Sequence, residues 1–183
     1  MEEGARQRFL IFPRNVKIPK YMQTIVTMKS KKDEAFLRRK TAAFSFEKFS
    51  KKEITDLITK MRRVMKEAEG IGLSANQVGY DFRMFVAQTP GTEGVPKFYA
   101  IFNPEIESTS KETISLEEGC LSVPGLSGSI ERPSKVVLRG FDKNEKPIKI
   151  KAWGLLARVF QHEIDHLSGR LFIDYAKNLH ASK

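Results

Sequence analysis

The helix-forming run from about Gly154 to Ser168 is strongly apolar at Leu155, Leu156, Val159, Phe160, Ile164 and Leu167, yet it carries two of the chain's three histidines, His162 and His166. Burying a polar ring without partners costs roughly 2–7 kcal/mol. Such a helix therefore demands a fold that wraps around it and brings strong partners to both rings. Residues four apart on an α-helix lie one above the other on one side, so two ring nitrogens come within reach of a single ion. Glu163 follows the first histidine directly and leaves the helix beside such an ion, where it can serve as a base toward water without being a ligand. The string Gln161-His162-Glu163-Ile164-Asp165-His166 thus predicts a buried metal-binding helix, and Gly169 just past its end supplies the stop.

An open metal site of this kind needs three protein ligands, so the third must come from elsewhere in the chain. Cys120 is the only cysteine and lies 42 residues before His162 in Glu118-Gly119-Cys120-Leu121-Ser122. A lone cysteine forms no internal disulfide, and a reducing compartment is its simplest setting. Gly119 permits close backbone approach, so a thiolate there can point at the helix. The plainer readings of these residues are a pair of buried histidines bonded to carbonyls and a cysteine acting as a small hydrophobe. Chelating spacing in so apolar a helix, with so few histidines to spend, argues against the first; the residues flanking Cys120 argue against the second. His180, in the polar C-terminal tail, reads as surface. A third segment, Gly70-Ile71-Gly72-Leu73-Ser74-Ala75-Asn76-Gln77, has neither the phosphate-loop string nor the dinucleotide glycine spacing. It reads as backbone packed tightly beside a ligand, with Gln77 offering an uncharged amide donor suited to a developing oxyanion.

The 183 residues fit one domain of ordinary size, over 24–183, after an extension over 1–23 that mixes Arg, Lys and Pro without helical or alternating period. That extension lacks the apolar core of a secretory signal and reads as a loosely held tail or the remnant of an organelle-targeting segment. A helix opens at Ser50, where Glu53 completes a capping box. Its apolar face is Ile54, Leu57, Ile58, Met61, Val64, Met65 and Ala68, with Gly70 able to end it. Its opposite face, Lys60, Arg62, Arg63 and Lys66, reads as solvated. Met84 to Ala87, Phe98 to Phe102, Val136 to Phe141 and Ile148 to Trp153 are rich in β-formers and separated by turn residues. The expected class is α+β, a mostly antiparallel sheet packed around a central metal-binding helix. No apolar run approaches the length that crosses a bilayer. The 32 basic and 22 acidic residues leave a formal charge of +10, but the lysines are scattered with no aromatic-interleaved stripe. This predicts a solvated surface and no specific nucleic-acid recognition, with ribosome proximity as the sharper alternative.

Taken together, GIGLSANQ, EGCLS and QHEIDHLSG resemble the three motifs of the peptide deformylase family, in that family's order, across roughly Thr24 to Tyr175. The resemblance implies that Cys120, His162 and His166 bind one divalent metal and that Glu163 is the general acid and base. It further implies an oxyanion hole made by Gln77 and the backbone N–H of Leu121, with Glu118 and Arg132 supporting the site from behind. The implied substrates are N-formylmethionyl nascent peptides, which release formate. Such a peptide would lie along Ile71 and Gly72 as an added strand, its methionine in an apolar pocket near Leu121 and Val159. One thiolate and two imidazoles suit Zn²⁺, Fe²⁺, Co²⁺ or Ni²⁺, and the resemblance favours Fe²⁺. It also favours the cytoplasm, or an organelle matrix after loss of a transit peptide. Ser74 stands where the family more often has alanine and Asn76 where proline or threonine is common, which alters loop packing but no ligand. The chain runs 14 residues beyond Gly169, short of the terminal helix that bacterial members often carry, and this bears on ribosome contact.

Two other readings fit parts of the pattern. A zinc metallopeptidase shares the helix motif but takes a histidine or carboxylate as its third ligand. A non-catalytic, metal-stabilised interaction module closes its ion with four protein ligands and makes Glu163 incidental.

Overall fold

The structure is a computed structural model that describes residues 25–90 and 95–182; the expected extension over 1–23 lies outside the described residues. In chain order the elements are α1 (Lys31–Leu37), α2 (Lys51–Glu67), β1 (Gly72–Ser74), β2 (Met84–Thr89), β3 (Lys97–Thr109), β4 (Thr113–Cys120), β5 (Val123–Pro133), β6 (Lys135–Phe141), β7 (Pro147–Trp153), α3 (Gly154–Leu167) and β8 (Lys177–Ala181). Single 3₁₀ turns at Phe46–Lys48, Ala75–Val78 and Phe172–Asp174 join some of them. Every pairing between named strands is antiparallel: a five-stranded sheet in the order β1-β2-β3-β6-β7 and a three-stranded sheet in the order β4-β5-β8. The α+β arrangement is the one expected.

The four expected strands are all present as β2, β3, β6 and β7, each longer than its apolar run because pairing continues through polar residues. In α2, Ser50 Oγ accepts from Glu53 N at 3.2 Å while the Glu53 carboxylate accepts from Ser50 N at 2.7 Å, the predicted capping box. Ile54, Leu57, Met61, Val64 and Met65 are buried against β1, β2 and a cluster of phenylalanines headed by Phe44. The helix stops earlier than Gly70: Glu69 takes the left-handed conformation at φ 56°, and Gly70 N then bonds back to Met65 O at 2.8 Å. Arg62 also departs from the solvated reading, since it donates to Gln88 Oε1 at 2.9 Å and lies over the Phe98 ring.

Helix α3 is enclosed between the two sheets. Its Ala157, Val159, Phe160, Ile164 and Leu167 pack on Phe85, Ile101, Val136 and Leu138 of the large sheet, each large apolar side chain contributing about 1.5–3 kcal/mol. Its other side carries Arg158, His162, Asp165 and His166 toward β4 and β5. A helix with one apolar and one ionic buried face has a fixed rotation about its axis, and that rotation aims both imidazoles at the end of β4.

Candidate metal centre

Nε2 of His162 and Nε2 of His166 are 3.2 Å apart, and Cys120 Sγ lies 3.1 Å from His166 Nε2. The donor atoms of the three residues all fall within 4.8 Å of one another. A tetrahedral ion held by one sulfur and two nitrogens requires donor separations of about 3.3–3.6 Å, so the cluster fits a divalent metal with little adjustment. A cysteine ligand must be a thiolate. Burial alone would push the Cys120 thiol up, but the charge of His166 and hydrogen bonds with both histidines outweigh it and hold the thiol well below its ordinary value. The sulfur reaches this place because the β4–β5 register breaks between Gly119 and Cys120, so that Cys120 pairs across a tight turn with Val123 and Ser122 N donates to Sγ at 3.4 Å.

Behind the imidazoles lies a buried ionic layer. Glu118 Oε2 accepts from His162 Nδ1 at 2.9 Å, which leaves the lone pair of His162 on Nε2, facing the sulfur. Arg132 donates to both oxygens of Glu118, at 2.6 and 3.0 Å, and to Asp165 at 2.7 Å. Arg170 also pairs with Asp165, at 3.0 Å. Burial raises the Glu118 pKa, but hydrogen bonds from His162 and Arg132 prevail and bring it down to about 2. Arg158, one helical turn before His162, donates to Glu118 Oε1 at 2.6 Å. Sequence reasoning passed over Arg158 and Asp165, although their spacing to the histidines on α3 could have flagged them.

Glu163 is buried, and burial pushes its pKa up to about 6 against the lowering influence of the two histidines. Its Oε2 has no hydrogen-bond partner among the described residues. The carboxyl presses on Gly72 so closely that a Cβ built there would stand 2.2 Å from Glu163 Oε1 and 3.1 Å from Val159 Cγ1. On the loop after β1, Gln77 Oε1 accepts from Ser74 N and Ser74 Oγ at 2.9 and 3.0 Å. This turns Gln77 Nε2 toward Ser122 Oγ at 3.1 Å and Cys120 Sγ at 3.7 Å. Asn76 Nδ2 donates to the His166 carbonyl at 2.7 Å, so Ser74 and Asn76 anchor Gln77 and the end of α3. Ile71, Gly72, Leu121, Val159, His162 and Glu163 all border an open cleft of about 400 Å³. His180 stands apart on β8, exposed and paired with Glu117 at 2.6 Å.

A thiol, two imidazoles and a buried carboxyl with a raised pKa lie together at an open cleft bordered by Cys120, His162 and Glu163, a set of groups able to hold a divalent ion and to carry a proton. A profile of the polypeptide deformylase family matches residues 22–182. The chain is 48% identical over 123 residues to a peptide deformylase of Halothermothrix orenii, an alignment covering 67% of this chain and 77% of that one. It is 44% identical over 126 residues to peptide deformylase 1 of Pseudomonas syringae pv. tomato, covering 69% and 74%. The crystal structure of peptide deformylase from Thermotoga maritima superposes with a TM-score of 0.75 at 32% identity, covering 86% of this chain and 99% of that one. A plant peptide deformylase superposes at 0.78 with 32% identity, covering 90% and 85%. The chain belongs to the polypeptide deformylase family. It is a hydrolase of protein biosynthesis that removes the N-formyl group from newly synthesised polypeptides, and the family is metal-dependent.

Proposed function

We propose that Cys120, His162 and His166 hold the metal, that Glu163 moves the protons of the reaction, and that Gln77 with the backbone N–H of Leu121 receives the oxyanion. The observation that carries this reading is the convergence of the three donor atoms within 4.8 Å beside the cleft. When bound there, a divalent cation supplies Lewis acidity, which lowers the pKa of water and polarises a formyl carbonyl. Glu163, titrating at about 6 in its buried site, can take a proton from attacking water and deliver it to the leaving amine near neutral pH. Gln77, its oxygen tied to Ser74, keeps its N–H donors on the side where the carbonyl oxygen becomes negative.

The β1–β2 register supports the substrate assignments. Gln88 N donates to Ile71 O, and Gly72 stands opposite Ala87. In an antiparallel ladder this makes Gly72 the non-hydrogen-bonded partner, so its N–H and C=O point away from β2, off the free edge of the sheet. A formylated peptide added along that edge bonds to Gly72 whatever its side chains. Ile71, whose backbone faces β2 through the bond from Gln88, contributes its exposed side chain, and Val159 with Leu121 walls the methionine pocket. Glu118 and Arg132 hold His162 in the tautomer that a ligand requires.

Fe²⁺ is the proposed ion, on the strength of the family resemblance; Zn²⁺, Ni²⁺ and Co²⁺ suit the same donors. The proposed setting is the cytoplasm, with an organelle matrix as the alternative, and the proposed partners are N-formylmethionyl nascent chains met near the ribosome. Among the described residues no fourth side-chain donor joins the cluster, which supports the enzyme over a metal-closed module, and a cysteine third donor supports it over a metallopeptidase. Formate release from a formyl-Met tripeptide after anaerobic Fe²⁺ loading tests the reading. Glu163→Ala should keep its metal and lose about 10²–10⁴-fold in kcat; a variant that retains a tenth of the parent rate refutes the role of Glu163.

A further inference from the structure

The guanidinium of Arg158 is buried at the edge of the metal cluster and is not used by the proposed chemistry. It projects from α3 and meets the three-stranded sheet at three acceptors. Nη1 donates to Glu118 Oε1 at 2.6 Å and to Ile130 O at 3.1 Å, and Nη2 donates to Ile114 O at 2.6 Å. One side chain therefore joins the helix that carries both imidazoles to β4, which carries the sulfur, and to β5. No chain connection enforces that junction, because β4 and α3 lie in different layers and are separated by β5, β6 and β7. One bond between the layers that fixes an imidazole is His162 Nδ1 to Glu118 Oε2, and Glu118 can hold the ring at a fixed angle only if its own carboxylate is immobile. Arg132 fixes that carboxylate from the sheet side and Arg158 from the helix side, so Oε1 is shared between two guanidinium groups. Arg158 also lies four residues before His162, on the same side of α3.

We infer that Arg158 is a positioning residue which locks the imidazole-bearing helix against the thiolate-bearing strand, so that the separation of Cys120 from His162 and His166 matches one small divalent ion. This rests on the reading that those three residues bind the metal. Among the described residues Arg158 bonds to Glu118 and two strand carbonyls rather than to sulfur or imidazole, and it acts through them. Losing a buried guanidinium should destabilise the fold in any case, so the measurement has to separate loss of stability from loss of geometry.

The experiment uses the full chain, stripped of metal and titrated with Co²⁺ under anaerobic conditions against a competing chelator. It reads both the dissociation constant and the cobalt–thiolate absorption band. Cys120→Ser should abolish that band; a band that survives in Cys120→Ser defeats the metal-ligand reading itself, independently of Arg158. Arg158→Leu should weaken Co²⁺ binding by about 10–100-fold, the usual cost of losing support behind a ligand, and should shift the band. The comparison is Arg62→Leu, which removes another guanidinium, one bonded to Gln88 and stacked on Phe98 away from the cluster, and which should leave affinity and band as in the parent. Arg158→Leu binding Co²⁺ within twofold of the parent with an unshifted band overturns the proposal, as does an affinity loss no larger than that of Arg62→Leu. If Arg158→Leu does not fold, Arg158→Lys decides. Its single ammonium keeps the charge but cannot span the three acceptors. A several-fold weaker site with a shifted band supports the clamp, and an unchanged site refutes it.

Discussion

Gly72 and Glu163 show how one missing side chain sets the chemistry. The carboxyl occupies the volume that a Cβ on Gly72 would take, 2.2 Å from Oε1 and 2.9 Å from Cδ, so Gly72→Ala must push Glu163 off its position beside the cluster. Displacement of a catalytic group by about 1 Å commonly costs on the order of 10²-fold in rate. Gly72→Ala should therefore lose about 10²-fold in kcat on a formyl-Met peptide while retaining its metal. Steady-state kinetics beside metal analysis check this, and a kcat within threefold of the parent would show that Glu163 can work from a displaced position. At this scale the sequence spoke clearly about identity: His162, His166 and Cys120 announce themselves by spacing and scarcity. It was silent about contact, since nothing in the order of residues places a glycine ninety-one positions earlier against Glu163.

At the scale of elements, α3 holds its place because its C-terminal end is tied down. Thr41 N and Oγ1 each donate to Leu167 O at 3.0 Å, and Arg83 Nη1 reaches the same carbonyl at 3.2 Å. The chain leaves the helix through Gly169 at φ +74°, where a Cβ would stand 2.3 Å from Arg38 O. Left-handed backbone costs a non-glycine residue about 1–2 kcal/mol, and the contact with Arg38 backbone adds to that. Gly169→Ala should thus destabilise the fold by about 2–3 kcal/mol, roughly 4–12 °C in Tm for a chain of this size. A thermal melt decides, and a shift under 2 °C would mean that the α1–α3 junction yields easily. Helices α2 and α3 were legible because their 3.6-residue period and caps are local. β4 and β5 were not, because Thr113 to Pro133 mixes Ser, Glu, Gly and Pro with few apolar residues, and its ladder is held by partners rather than by propensity.

For the whole molecule, an ion held by the proposed ligands would join α3 to the three-stranded sheet, adding to the ionic and hydrogen-bonded contacts between them. A metal bound only by the folded chain adds stability by mass action, about 4 kcal/mol when its free concentration is a thousand times its dissociation constant. Stripping the ion should therefore lower Tm by on the order of 10 °C and speed proteolysis, and both changes should reverse when Fe²⁺, Zn²⁺ or Co²⁺ is restored. Calorimetry of the stripped and reloaded protein tests this; equal melting temperatures would show that the layers hold without the ion.

What the sequence alone determined is the chemistry available: two rings one helical turn apart, one sulfur, an acid directly after the first ring, and an amide after a glycine pair. Those features depend on residue type and short-range spacing, which the order of residues states outright. Only the tertiary structure decided which atoms meet. The bulge at Gly119 and Cys120 aims the sulfur, the β1 register turns the Gly72 backbone outward, and Glu118 is gripped by Arg132 and Arg158 from opposite sides. Each joins residues far apart in the chain, and such contacts are set by how the layers pack, which no local pattern encodes.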